Sequence, residues 1–350
     1  MPLEGCLLIS EQKIPKSALR ILRIVLALGM LGFLLVKVGH AKPLQRLAMA
    51  NPLYIGLAVS VVIVDGLIRA WNWCQLVRAM HFGRPAPYRT LLTIYWAGSF
   101  LGQFVPSTVG TDALRAMIAA RNVGGHASTH GAAVVMLNGI SLTTGCLAGL
   151  VSALWLASIG QAGNLRLPAV ALFAMALGAA VVGYTVLRTQ RGLLLLLMRR
   201  MHGKWRKLRR GLRRFMHRLL VFERYDVKIT PIVTVAFVTL ATRATMYALV
   251  GLAVGVTLPF PAWLALVPAY SLSGLLPYNV SGYGGDQAAI VYILTGFGTG
   301  GGEALAFALI VPLITVGFNM LGGLAVLFGG LTMNVRPPVS KPVQGNREGL

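Results

Sequence analysis

Nine acidic side chains are spread over 350 residues, and three of them, Asp65, Asp112 and Asp286, fall within stretches that are otherwise apolar. A carboxylate in hydrocarbon is costly unless it meets a cation, a ligand or a proton, so such acids are functional candidates by default. Arg69 follows Asp65 by one helical turn, and the two can pair on a single helix face. That spacing suits a pair that fixes helix packing as well as one that touches a substrate. Arg243 stands near the middle of another apolar run with no acid in its own segment, which calls for a partner from a different helix or an anionic ligand. Arg115, one turn after Asp112, fits either a headgroup contact or a charge facing the cytoplasm.

Asp112 and Asp286 close two similar passages, Gln103-Phe-Val-Pro-Ser-Thr-Val-Gly-Thr-Asp112 and Leu275-Leu-Pro-Tyr-Asn-Val-Ser-Gly-Tyr-Gly-Gly-Asp286. Each reads as an apolar helix, a proline (Pro106, Pro277), a short polar stretch, glycine (Gly110; Gly282 and Gly284), then an aspartate opening a second short helix. Proline interrupts the hydrogen-bond ladder and glycine permits the reversal. Non-helical backbone at membrane depth survives only where it is buried in protein or faces water. The second arms, from about Thr111 and Gly285, direct amide N–H groups and a positive dipole end inward, which suits a phosphate or carboxylate. The aspartates themselves fit a substrate site or simple N-caps.

The elements that must carry these residues are set by composition. Hydrophobic residues make up 56% and charged residues 12%, about half the charge of a soluble domain. Six stretches, 19–38, 53–77, 127–157, 167–187, 229–256 and 304–331, reach the roughly 20 apolar residues that a helical span requires. Two further regions, 90–121 and 262–297, are interrupted. The net charge of +23 reads as topogenic rather than as a nucleic-acid footprint. Fourteen Lys or Arg residues and two acids lie between Arg188 and Lys228, which places that loop in the cytoplasm. Its apolar residues recur at helical spacing, so residues 189–228 suit a basic amphipathic segment on anionic headgroups or a solvated loop.

Counting outward from this loop puts both termini in the cytoplasm, with a tail at 1–18, a membrane domain at 19–332 and a disordered tail at 333–350. Region 90–121 then enters and leaves on the cytoplasmic side, and 262–297 dips in from outside. The expected fold is an all-α multi-pass protein of the inner or plasma membrane. It has six spanning helices and two opposed re-entrant hairpins, the pattern of an inverted repeat with a binding site near the midplane. Lys37, Lys42 and Arg46 fall against the charge rule, in an outer loop.

Other motifs carry less. Cys6, Cys74 and Cys146 are far apart and have neither metal nor disulfide spacing. His126 and His130 lack a third ligand, so no metal or other cofactor is expected. Gly145 and Gly149 read as a helix-packing motif. The sequence has no Walker loop, nucleophile elbow or dinucleotide fingerprint in context, and no catalytic residue is assigned.

Residues 20–332 resemble the transmembrane region of lysylphosphatidylglycerol synthases and their stand-alone, flippase-like (UPF0104) relatives. The carriers are Gly98-Ser-Phe-Leu-Gly-Gln-Phe-Val-Pro-Ser-Thr-Val-Gly-Thr-Asp-Ala-Leu-Arg115, similar to G-x-F-x-N-x-x-L-P-x-x-x-G-G-D-x-x-R, and Pro277 to Asp286, similar to P-x-x-x-G-G-x-G-x-x-E. Thr111, Gln103 and Asp286 depart from that pattern, and Asn138 and Val311-Pro312 stand where the resemblance implies arginines. The resemblance implies lipid translocation or handling, with membrane lipids and their anionic headgroups as partners. It also admits a non-transporting role beside lipid-biosynthetic enzymes, hopanoid-associated ones included. No aminoacyl-transfer domain follows, so lysine transfer is not expected.

Overall fold

The computed structural model describes residues 46–79, 87–103, 108–124, 127–160, 169–178, 229–273 and 285–328, and every regular element among them is helical. Among the described residues four helices are long and apolar enough to cross a bilayer: α1 (Pro52–Ala79), α4 (Ala127–Ser158), α6 (Ile229–Val254) and α9 (Gly301–Phe328). Between them lie shorter helices, α2 (Tyr88–Gly102), α3 (Thr108–Asn122), α5 (Ala169–Gly178), α7 (Phe260–Ser273) and α8 (Gly285–Gly296). Four of the six expected spans are therefore present. Residues 19–38, the basic segment 189–228 and both tails lie outside the described residues, as does most of 167–187 beyond α5.

The long helices turn large apolar side chains outward, among them Leu53, Leu57 and Val64 on α1, Val151 and Leu154 on α4, and Leu313 and Leu324 on α9. Surface of that kind is stable against lipid and unstable against water. The chain is a multi-pass membrane protein.

Each interrupted region forms a pair of antiparallel helices. In α2–α3, Thr111 Oγ1 donates to the Gly102 carbonyl at 3.2 Å, and further down Leu91 and Ile94 pack with Ile118 and Ala119. In α7–α8, Ser273 near the turn meets Asp286, Ala265 and Ala269 share a cluster with Ile293, and Ala262 packs with Phe297. Gly102 is required where it stands, because a Cβ there would collide with the Thr111 side chain.

The helix order long, short, short, long thus occurs twice, with lengths of 28, 15, 15 and 32 residues in the first half and 26, 14, 12 and 28 in the second. Packing follows the same exchange. The α1–α6 pair maps onto itself, α4–α7 onto α2–α9, α2–α3 onto α7–α8, α3–α4 onto α8–α9, and α1–α2 onto α6–α7. The remaining contacts, α4–α6 with α1–α9 and α6–α9 with α1–α4, swap as well. At the self-mapping pair, Asn51 N–H donates to the Ala253 carbonyl at 3.0 Å, Asp65 meets Thr242, and Leu76 shares a cluster with Ile232, so α1 and α6 are antiparallel.

Small residues allow close approaches between halves. Gly145 and Gly149 on α4 receive Pro268 of α7, which bears out the packing motif read at that spacing and places the internal proline of α7 against another helix. Gly322 on α9 lies against the Trp96 backbone and Phe100 of α2.

Candidate functional site

Asp65 and Arg243 occupy corresponding places in the two central helices, thirteen residues after the start of α1 and fourteen after the start of α6. Antiparallel packing brings them together. Asp65 Oδ2 is 2.8 Å from Arg69 Nε and 3.7 Å from Arg243 Nε, while Asp65 Oδ1 accepts a 2.9 Å hydrogen bond from Thr242 Oγ1. The pairing read from the four-residue spacing of Asp65 and Arg69 is present, and Arg243 finds its acid across the helix interface. The Asp65 side chain is 13% exposed, yet Arg69 and Arg243 keep 30% and 33% of their side-chain surface accessible. Two guanidiniums therefore share one carboxylate while each stays partly accessible.

Asp112 is the centre of a second cluster. The helix that carries it begins at Thr108, three residues earlier than the sequence suggests, so Asp112 lies inside the helix and is not an N-cap. Its Oδ1 is 3.3 Å from Arg115 Nη1, and its Oδ2 accepts a 2.6 Å hydrogen bond from Asn138 Nδ2 of α4. Arg115 is largely buried, with 12% of its side chain exposed. It donates from Nη2 to Ser99 Oγ at 3.1 Å and lies 4.3 Å above the centroid of the Tyr95 ring. A cation over an aromatic face is favourable where water is scarce.

Asp286, buried in the first turn of α8, accepts a 2.7 Å hydrogen bond from Ser273 Oγ across the second hairpin. Pro106, Pro277, Gly282 and Gly284 lie outside the described residues; Gly110 belongs to the first turn of α3.

Two tyrosines join these groups. Tyr95, beneath Arg115, is also within electrostatic reach of Arg69 and Arg243. Tyr247, one turn along α6 from Arg243, lies near both arginines, Asp65 and Asp286, and its ring packs edge-on against Tyr270 and Phe307. A tyrosine thus lies near both the α1–α6 centre and the acid-bearing cluster of each hairpin. Tyr95, Tyr247, Thr242, Ser99 and Ser273 escape sequence reasoning because neutral side chains in apolar helices give no local signal. Asn138 stands out only as a substitution, whereas the fold makes it the donor to Asp112.

The profile of the lysylphosphatidylglycerol synthase TM region matches residues 20–323. The chain belongs to this family. Both hairpins and the α1–α6 centre fall inside the matched residues. No curated protein and no solved structure matches the chain. Membership in the lysylphosphatidylglycerol synthase TM family relates this membrane protein to lipid handling.

Proposed function

We propose that the chain translocates a polar-headgroup lipid across the inner or plasma membrane. The supporting observation is the charged cluster of Asp65, Arg69 and Arg243 at the antiparallel α1–α6 centre, with a tyrosine near both it and the acid-bearing cluster of each helical hairpin. Helices of 15, 14 and 12 residues are about 22, 21 and 18 Å long, short of the roughly 30 Å hydrocarbon core. This supports reading α2–α3 and α7–α8 as re-entrant hairpins within a six-span protein whose termini are both cytoplasmic. Because corresponding helices α1 and α6 run in opposite directions, the exchange of halves reverses direction across the membrane, as in an inverted repeat. One hairpin then enters from each face and the charged centre lies between them.

In this reading a headgroup leaves one leaflet along a hairpin, exchanges its water for the arginines, aspartates and hydroxyls of the centre, and departs along the other hairpin. No bond is made or broken, so the activity is transport and not catalysis. Without a nucleotide-binding motif, movement follows a gradient, a coupled ion or simple scrambling. The test is reconstitution in liposomes carrying labelled lipids. Asp112→Ala should slow flipping strongly, since it removes the partner of Arg115 and Asn138; equal rates for wild type and Asp112→Ala would sink the proposal.

A further inference from the structure

The three intramembrane arginines among the described residues are not equally satisfied. Arg115 is held by Asp112, by the Ser99 hydroxyl and by the Tyr95 ring. Arg69 has an ion pair to Asp65 at 2.8 Å, although its Nε makes no aligned hydrogen bond. Arg243 has only the 3.7 Å approach of its Nε to that same Asp65 oxygen, whose carboxylate is already committed to Arg69 and Thr242. Its two Nη nitrogens make no hydrogen bond among the described residues, and a third of the side chain is accessible. Arg69 is close enough to repel it.

A partly accessible guanidinium in an apolar protein, beside a second one and with a share of one carboxylate, lacks one negative charge locally. Its planar donor fork matches two oxygens of a phosphate. Tyr95 and Tyr247 both lie near the two arginines. We infer that Arg243, with Arg69 beside it and Asp65 as the resident counter-charge, forms an oxyanion receptor. It takes the phosphate of an anionic phosphodiester headgroup or a free phosphate. Asp65 keeps Arg69 in place and competes weakly for Arg243, so the site binds and releases. This deepens the translocation reading and rests on it for the access of lipid to the centre.

The test uses the purified full-length chain in a neutral detergent, with binding read from bound lipid by native mass spectrometry and from the shift in unfolding temperature. The probes are phosphatidylglycerol, diacylglycerol, which has no phosphate, and inorganic phosphate. Phosphatidylglycerol should bind wild type and diacylglycerol should not compete. Arg243→Gln should weaken binding about tenfold to a hundredfold, the order expected for losing hydrogen bonds to a charged group. Arg243→Lys should retain part of it. Asp65→Asn should tighten binding, an increase that misfolding does not produce. A shift with inorganic phosphate but none with phosphatidylglycerol assigns the site to the free anion, and displacement of the lipid by phosphate assigns it to both.

Equal binding of phosphatidylglycerol and diacylglycerol, or binding unchanged by both Arg243→Gln and Asp65→Asn, overturns the inference. Flipping of lipids without phosphate selectivity would defeat this inference and leave translocation standing. Selective binding without flipping would do the reverse.

Discussion

Replacing Asp65 with asparagine keeps the shape of the side chain and the hydrogen bond to Thr242, but removes the carboxylate that Arg69 and Arg243 share. Deleting one partner of a fully buried ion pair costs about 3–5 kcal/mol, because the other charge is left without compensation. Here 30% and 33% of the two arginine side chains remain accessible, so water screens part of the loss and about 1–3 kcal/mol is expected. The assay is reversible unfolding in mixed micelles of a neutral detergent, compared with wild type. The double variant Asp65→Asn/Arg69→Gln restores the local charge to its original value and should recover a substantial part of the loss. Added phosphatidylglycerol should stabilise Asp65→Asn more than wild type, since it supplies the missing anion. Asp65→Asn as stable as wild type, or a double variant at least as damaged as the two single losses summed, would refute the electrostatic account of the centre.

Gly322 and Gly317 share α9 but have opposite surroundings. A Cβ at Gly322 would meet the Trp96 backbone, which cannot step aside, and Phe100 Cβ at 3.2 Å, whereas one at Gly317 meets nothing within 4 Å. Gly322→Ala should therefore destabilise by about 1–3 kcal/mol and slow flipping. Gly317→Ala should be neutral or stabilising by up to about 1 kcal/mol in the same unfolding assay. Asn138→Leu removes the 2.6 Å donor to Asp112 and leaves the Arg115 pair in place. A stability loss of about 1 kcal/mol is expected, with flipping in liposomes slowed less than by Asp112→Ala.

Much of the fold was legible in the sequence because a bilayer makes simple demands: length and apolarity located α1, α4, α6 and α9, and proline with glycine marked both places where one short helix gives way to another. The site was legible where charge made it conspicuous. Asp65 and Arg69 declared themselves by helical spacing, and Arg243 by needing an acid its own segment lacks. What stayed hidden depends on the pairing of distant segments. Nothing local says that Thr242 faces Asp65, that Tyr95 lies under Arg115, or that Asn138 reaches Asp112. Those contacts follow from antiparallel packing of α1 on α6 and of α2 on α3, and from α4 closing against α3. Arg46, awkward in an outer loop by charge counting, is 2.8 Å from Glu303 at the start of α9; a charge tethered to a neighbouring helix end is a weak topogenic signal.

The claim on which the account turns is that the two hairpins enter from opposite faces and meet at the charged centre. Single cysteines at Arg89, Arg121, Phe260 and Thr299, in a background with Cys6, Cys74 and Cys146 replaced, can be probed in oriented vesicles with a membrane-impermeant thiol reagent. Labelling of positions 89 and 121 only from the cytoplasmic side, and of 260 and 299 only from the outside, is the predicted result. Labelling of 89 and 121 from opposite sides would show that α2–α3 crosses the membrane, and would contradict it.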